Sequence, residues 1–365
     1  MQYKICKKCV MDETDPLIEF DEAGICNYCR DFEKIGFRQL TDEEIEQNLL
    51  SLKQKLASAK KGKYDCIIGL SGGVDSSYVA LLAKKLELNP LLVHFDNGWN
   101  SELAVKNINN IVNSLQSDLH TLVVDWEEFR NLQRAYFDAG VVDIEVLTDH
   151  AIIATIYKLA EKYRIKYILS GTNISTEFVL PKSWVHSKID LSNLKDIVSK
   201  NSRQLLKTYP TINSLKIKLY YEKLKGIRKI QPLNIINYNK EHAIKELIDV
   251  FGWRNYGRKH GESIFTKFYQ NHILPTKFNI DKRKAHLSSL ICSNQLSREE
   301  ALMILNEPLY DKSELETDYG FVRKKLGYSK AEFDAYLERP PSSHFLYKSD
   351  LTLLAKIHKI KRKLQ

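Results

Sequence analysis

DCIIGLSGGVDSSYVALLAKKL, from Asp65 to Leu86, is the stretch whose reading decides the fold. Cys66, Ile67 and Ile68, with Leu70 after Gly69, make a short apolar run of the kind that forms a buried strand. Tyr78, Ala80, Leu81 and Leu82 follow with the spacing of a helix whose inner face is apolar. Between the two lies Ser71-Gly72-Gly73-Val74-Asp75-Ser76-Ser77. Paired glycines let the backbone turn sharply and come close to a ligand. The helix that follows offers free N–H groups and its positive dipole end to a phosphate. Ser71, Ser76 and Ser77 add hydroxyl donors. Asp75 is the odd member, because a carboxylate beside phosphates is tolerable only if it holds Mg²⁺ or orients a donor. The plain alternative is a Gly-Gly turn capped by serine, but strand, loop and helix fall here in the order a phosphate site requires.

The loop is not of the Walker kind, since no G-x-x-x-x-G-K-[ST] occurs, and no G-x-G-x-x-G occurs either. The string S-G-G-x-D-S resembles the pyrophosphate loop of the N-type ATP pyrophosphatases. That resemblance implies an ATP site built from Ser71, Gly72, Gly73, Val74, Asp75, Ser76 and Ser77. It also implies cleavage of ATP between its α and β phosphates, with AMP passing to an oxygen of the substrate.

Further along, Leu91 to Asp96 reads as a second strand, Leu119 to Asp125 as a third and Lys166 to Ser170 as a fourth. Ser101 to Leu115, Trp126 to Ala139 and Leu147 to Tyr163 read as the helices between them. The alternation predicts a doubly wound parallel α/β sheet, with ligands at the carboxyl ends of its strands. The resemblance therefore places His94 and Asp96 against the adenosine; as a plain strand residue His94 would have no such role. Gly171-Thr172-Asn173-Ile174-Ser175-Thr176-Glu177 resembles the G-T-x-x-x-x-E loop of ammonia-dependent NAD synthetases. By that likeness Gly171 and Thr172 touch ATP, and Glu177 shares Mg²⁺ with Asp75. Read alone, it is a polar loop with a solvated Glu.

The chain has 365 residues, 43% hydrophobic and 28% charged, with a net charge of +9. This suits a soluble globular protein with one large or two medium domains. The basic excess suggests anionic ligands without specifying nucleic acid. No apolar run reaches the roughly 18 residues a membrane helix needs, and MQYKICKKCV lacks a signal-peptide core, so a cytoplasmic protein is expected. Cys6-x-x-Cys9 and Cys26-x-x-Cys29 have zinc-knuckle spacing, and four sulfurs with no open position imply a structural metal. An iron–sulfur cluster or four free thiols are the rivals. Cys66 and Cys292 read as core.

Three domains are expected: a zinc ribbon at 1–40, a nucleotide domain at 41–250 and a helical substrate-binding region at 251–365. The nucleotide domain carries a polar helical insert at 181–230, read as a solvated face. In the third region, Phe265, Phe268, Tyr269 and His272, and then Leu287, Leu290 and Ile291, have helical spacing. Cations and histidines crowd the same segments, which suits an anionic ligand; a basic helical hairpin with its charges in water is the alternative.

The strings Lys259-His260-x-Glu262-Ser263-x-Phe265-Thr266-Lys267-Phe268 and Asp281-Lys282-Arg283-x-Ala285-His286-Leu287-Ser288-Ser289 carry a more specific likeness. With the ribbon and the loop, they resemble the N-acetyl sugar amidotransferases of bacterial surface-polysaccharide pathways. The resemblance implies an adenine nucleotide alpha hydrolase-like fold. It also implies an ATP-dependent carbon–nitrogen ligase that turns a sugar acetamido group into an acetamidino group. Asp75, Lys259, His260, Glu262 and Lys267 are then the candidate catalytic residues, and Arg283 and Lys284 join the nucleotide set. ATP, Mg²⁺ and Zn²⁺ are the implied cofactors, and a free or nucleotide-linked acetamido sugar is the implied substrate. No Cys-His-Glu glutaminase constellation is evident, and the resemblance implies ammonia from a separate glutaminase of the imidazole-glycerol-phosphate-synthase type. A tRNA-modifying thiolase-like enzyme and a zinc-ribbon RNA-binding module are the competing classes; the second leaves the S-G-G-x-D-S loop unexplained.

Overall fold

Apolar runs too short to be helices become the centre of a five-stranded sheet. The structure, a computed structural model, describes residues 3–202, 206–256 and 261–351. The ribbon ends in α1 (Asn27–Lys34), and α2 (Asp42–Ala59) follows behind a Thr41–Glu44 capping box. Strand β1 (Cys66–Gly69) leads to α3 (Val74–Lys85), β2 (Pro90–Asp96) to α4 (Glu102–Leu115), and β3 (Leu119–Val123) to α5 (Trp126–Ala139) and α6 (Val146–Lys162). Strand β4 (Tyr167–Leu169) runs into the one-turn α7 (Ile174–Glu177). Then come α8 (Leu191–Asn201), a π-helical segment Lys216–Leu224, β5 (Arg228–Ile230), a 3-10 turn at Pro232–Ile235 and α9 (Lys240–Phe251). The remaining helices are α10 (Ile264–Phe268), α11 (Leu274–Phe278), α12 (Lys282–Cys292), α13 (Arg298–Asn306), α14 (Lys312–Leu326) and α15 (Lys330–Glu338). A π turn at Tyr269–Ile273 joins α10 to α11.

All strands are parallel, in the order β3-β2-β1-β4-β5. This is the expected doubly wound sheet, and strand order reverses between β1 and β4. Ligands lie at such a switch point, outside the carboxyl ends of the strands. Both candidate nucleotide loops leave the sheet there.

The 181–230 insert differs from the expected solvated face. Helix α8 packs on α5 and buries Leu194, Ile197 and Val198, and the π-helical segment buries Ile217 and Tyr221. The insert ends in β5, an edge strand the sequence does not announce. Arg228-Lys229-Ile230 is only three residues long and two of them are charged, as an exposed edge tolerates.

Ribbon, sheet helices and C-terminal helices meet in one apolar cluster that includes Cys9, Met11, Phe129, Phe137, Phe268 and Phe333. The ribbon is fastened to the C-terminal region by polar contacts. Arg298 donates to the carbonyls of Cys6 and Cys9, Val10 N–H donates to Ser288 Oγ at 3.3 Å, and Lys284 pairs with Asp12. The basic tail from Lys356 to Lys363 lies outside the described residues.

A buried histidine pair ties residue 344 into this core. The His344 ring stacks on His186 with centroids 4.2 Å apart. Its Nδ1 donates to Asn193 Oδ1 at 2.8 Å and its Nε2 accepts from Asp143 N–H at 3.3 Å. That arrangement satisfies a neutral ring and leaves no acceptor for a second proton. Burial, then the neighbouring His186, lower its pKa to about 3 from 6.5. The unfolded chain therefore takes up this proton first, and stability falls as pH drops from 6.5 toward about 3. The expected loss from this one group is about 2 kcal/mol between pH 7 and pH 5. Urea midpoints at the two pH values should shift less in His344→Asn than in the parent chain.

Candidate active site

Every described part of the site hangs on the loop after β1. Gly73 caps α3 without a side-chain hydrogen bond, so the first turn of the helix keeps its N–H groups for a ligand. The loop braces itself: Gly73 N–H donates to Ser71 Oγ at 3.2 Å, and Ser76 Oγ lies 3.0 Å from Ser71 Oγ and 3.2 Å from the Gly73 carbonyl. Gly72 has φ +85, a left-handed conformation that favours glycine. Its carbonyl accepts from Trp253 Nε1 at 3.0 Å and Tyr256 Oη at 2.9 Å. The segment after α9 thus holds the loop.

A cleft of about 510 Å³ opens over this loop. Ser71, Gly73, Val74, Asp75 and Ser76 line one side, and Ser170, Gly171, Thr172 and Glu177 line the other. The two loops touch. A β-carbon on Gly171 would stand 2.9 Å from the Asp75 carbonyl carbon and 2.9 Å from the Ser76 nitrogen. Both are backbone atoms and cannot swing aside. Gly171→Ala is expected to push the loops apart and cost at least tenfold in kcat/KM, as roughly 1 Å displacements of reacting groups do. Steady-state kinetics beside an unchanged far-UV spectrum would check it.

Asp75 and Glu177 line the same cleft, on the two loops that touch, and could hold a divalent cation against phosphates. Asp75 Oδ1 accepts from Tyr238 Oη at 2.5 Å. Burial, then the charge of Asp75, push the Tyr238 phenol well above its ordinary range, so it stays a donor. Tyr238 is a site residue that sequence reasoning missed, because an isolated Tyr after an apolar turn gives no signal. Lys240, Tyr256 and Asp149 also line the cleft unannounced. Lys229, on the unexpected β5, reaches Thr172 Oγ1 at 3.5 Å.

Glu262 lines the cleft, and a β-carbon on Gly73 would come within 3.4 Å of its Oε1. Its backbone carbonyl accepts from Ser101 N–H at 2.9 Å, and Ile264 N–H donates to the Trp99 carbonyl at 2.9 Å. The start of the C-terminal region is thereby stitched to the β2–α4 turn. Lys259 and His260, expected beside Glu262, lie outside the described residues.

Other expected site residues are placed elsewhere. Ser77 Oγ is buried, with no hydrogen-bond partner among the described residues. His94 lies under the loop rather than in the cleft: Nδ1 donates to the Leu70 carbonyl at 3.0 Å and Nε2 accepts from Asn100 at 3.0 Å. Burial lowers its pKa, consistent with this neutral, two-bond role. Asp96 closes the next turn, accepting from Gly98 N–H at 2.9 Å. Lys267 turns to α14 and pairs with Asp318 at 2.6 Å and Glu314 at 2.7 Å. Burial opposes its charge, but the two carboxylates outweigh burial and raise its pKa. Arg283 binds the Asp281 carboxylate and the carbonyls of Ile304, Leu305 and Glu307, which ends α13. Lys284 is taken by Asp12 of the ribbon. In each case an acidic or carbonyl partner nearby claims the cation that composition alone leaves available.

Asp149 brings a carboxylate, paired with Lys188, to the cleft. The pair is 3.1 Å apart, and Lys188 also meets Asp143 at 2.9 Å. Behind them Glu145 accepts from Gln270 at 2.9 Å and lies 3.5 Å from Lys282.

In the ribbon, Cys6, Cys9, Cys26 and Cys29 are fully buried and their sulfurs lie within 4.8 Å of one another. The separations are 3.9 Å for Cys6–Cys29, 3.6 Å for Cys9–Cys26 and 3.7 Å for Cys26–Cys29. A tetrahedral zinc with bonds of about 2.3 Å spaces its sulfurs about 3.8 Å apart, so the four residues fit that metal. Backbone N–H groups of Cys26 at 3.2 Å and Cys9 at 3.4 Å point at Cys6 Sγ, as suits a thiolate.

Residues 44–213 match the NAD synthase family model, and residues 262–361 match that of the LPS biosynthesis protein WbpG-like, C-terminal domain. The chain thus joins a segment similar to NAD synthase to one similar to the WbpG-like C-terminal domain. No curated protein matches it. Among solved structures, NMN synthetase from Francisella tularensis is 13% identical, with 78% of this chain and 97% of that chain covered at a TM-score of 0.37. The NH3-dependent NAD synthetase from Campylobacter jejuni is 13% identical, with coverage of 82% and 97% and a TM-score of 0.34. Phosphoadenylyl-sulfate reductase from Candida auris is 13% identical, with coverage of 60% and 90% and a TM-score of 0.31. The Ser71–Ser77 loop lies within the NAD synthase match, and the WbpG-like match begins at Glu262, which lines the same cleft. Among the described residues no helix is long and apolar enough to cross a membrane.

Proposed function

We propose that this PP-loop protein is a cytoplasmic, AMP-forming amidotransferase that makes an acetamidino sugar for surface-polysaccharide biosynthesis. One observation carries the reading. The nucleotide loops and the first residue of the WbpG-like domain line a single cleft, so ATP chemistry and a polysaccharide-pathway domain share one site.

An amide carbonyl is a poor electrophile and its oxygen leaves badly. Transfer of AMP to that oxygen gives an imidate whose leaving group is AMP, and ammonia then attacks the same carbon. The α3 N-terminus, Ser71 and Ser76 hold the phosphates and neutralise charge as pyrophosphate departs. Asp75 and Glu177 would hold Mg²⁺, which supplies further charge neutralisation on the phosphates. Tyr238 fixes the Asp75 carboxylate in one orientation. Asp149, already paired with Lys188, offers acceptor oxygens to a sugar hydroxyl or an incoming ammonium, and the acceptor is proposed to bind on its side of the cleft. The four ribbon sulfurs hold zinc in a structural role.

Ammonia comes from a separate glutaminase. Cys66 is buried in β1 and Cys292 packs against the ribbon, so neither sits in the cleft. The same placement tells against a tRNA thiolase, which would need a cysteine there. Residues 182–229 are the proposed docking surface; they carry Leu215, Leu219 and Leu224 exposed among lysines.

The test supplies ATP with a panel of free and nucleotide-linked acetamido sugars and reads products by mass spectrometry. The chain alone is expected to form the amidine with ammonium salt, and with glutamine only after a glutaminase subunit is added. Glutamine-driven product from the chain alone would refute the separate-glutaminase part. No amidine from any sugar, with ATP still consumed, would refute the substrate class.

A further inference from the structure

We propose that Cys29 and Cys292 are an oxidation site, joining as a disulfide under a hydroperoxide and opening the four-sulfur metal centre. The proposal rests on the zinc reading of the ribbon. Cys292 closes α12, more than 260 positions from Cys29, yet its sulfur lies 3.9 Å from Cys29 Sγ. That equals the separation of Cys6 from Cys29 within the metal set. A four-sulfur zinc site is closed, and Cys292 is not one of the four mutually close sulfurs, so it has no part in coordination. It is also the accessible one: Cys292 is partly exposed, whereas the four ribbon sulfurs are buried. The sulfurs need to close by about 1.9 Å to reach a disulfide bond length.

The step balances with a hydroperoxide as oxidant. The Cys292 thiolate attacks the peroxide oxygen, breaking the O–O bond, and becomes a sulfenic acid while the leaving alkoxide or hydroxide takes a proton. The Cys29 thiolate, leaving the metal, attacks that sulfur, and the sulfenic oxygen departs as water after protonation. Two thiols lose two electrons and the peroxide gains them. Three cysteines remain on the metal, which is then released or weakly held.

The consequence reaches the cleft through α12. On one side this helix holds the ribbon, through Ser288 to Val10 and Lys284 to Asp12. On the other it holds α7: His286 Nδ1 lies 3.0 Å from the Thr176 carbonyl, Ser293 Oγ donates to the Ser175 carbonyl at 2.8 Å, and Ser289 Oγ accepts from Val179 N–H at 2.9 Å. Helix α7 ends in Glu177, which lines the nucleotide cleft. A bond that pulls Cys292 toward the ribbon loads the same strut that positions Glu177.

The test treats full-length zinc-loaded protein with hydrogen peroxide and follows zinc release with a chromogenic chelator. Disulfides are mapped by peptide mass spectrometry without reduction. The expected result is a Cys29–Cys292 linkage appearing in step with zinc release, and release about tenfold slower or more in Cys292→Ser and Cys292→Ala. Equal release rates in the variants, or linkages confined to Cys6–Cys9 and Cys26–Cys29, would overturn it. Protein purified without zinc refutes the metal reading instead, and the disulfide map then still judges the pair.

Discussion

Asp75→Asn should lower the rate of AMP formation by about a hundredfold or more, the loss typical of removing a preorganised electrostatic group. Asparagine keeps the shape and can still accept from Tyr238, whose hydroxyl sits 2.5 Å from Asp75 Oδ1. The fold around α3 should therefore persist, and what disappears is a negative charge in the cleft that Glu177 also lines. Tyr238→Phe separates the two roles: it leaves the charge, removes the orienting bond, and should cost less than the charge does. Kinetics in saturating Mg²⁺ would check both. An Asp75→Asn rate within threefold of the parent would remove Asp75 from the chemistry.

Cys26→Ser should strip the ribbon of zinc and destabilise the whole chain, lowering the thermal midpoint by roughly 4 °C or more, equivalent to about 3 kcal/mol. Its sulfur lies 3.6 Å from Cys9 and 3.7 Å from Cys29, so one substitution breaks the tetrahedron. The loss is not local, because Cys26 and Cys29 belong to the same apolar cluster as Phe129, Phe268 and Phe333. Metal content by atomic spectroscopy and a melting curve read the two parts separately. A variant with one zinc per chain and an unchanged midpoint would contradict the structural role.

The phosphate end of the site is legible in the sequence because local chemistry determines it. Ser71 to Ser76 needs only its own strand, glycines and helix to become a phosphate loop, and Gly171 to Glu177 meets it because parallel-sheet topology brings both to one switch point. The cations are not legible. Lys267, Arg283 and Lys284 look alike in composition, and only long-range packing shows that Asp318, the α13 carbonyls and Asp12 claim them. Tyr238 and Lys229 enter the site through a 3-10 turn and a three-residue edge strand, neither of which leaves a periodic pattern. Cys292 reads as helix core in the sequence; its closeness to Cys29 is purely tertiary.

The role proposed for the loop from Ser71 to Ser77 is cleavage between the α and β phosphates of ATP. Chromatography of the nucleotide products during turnover with ammonium and an acetamido sugar tests it most directly. AMP and pyrophosphate are expected in equal amounts, matched by amidine; ADP and orthophosphate as the main products would contradict this role.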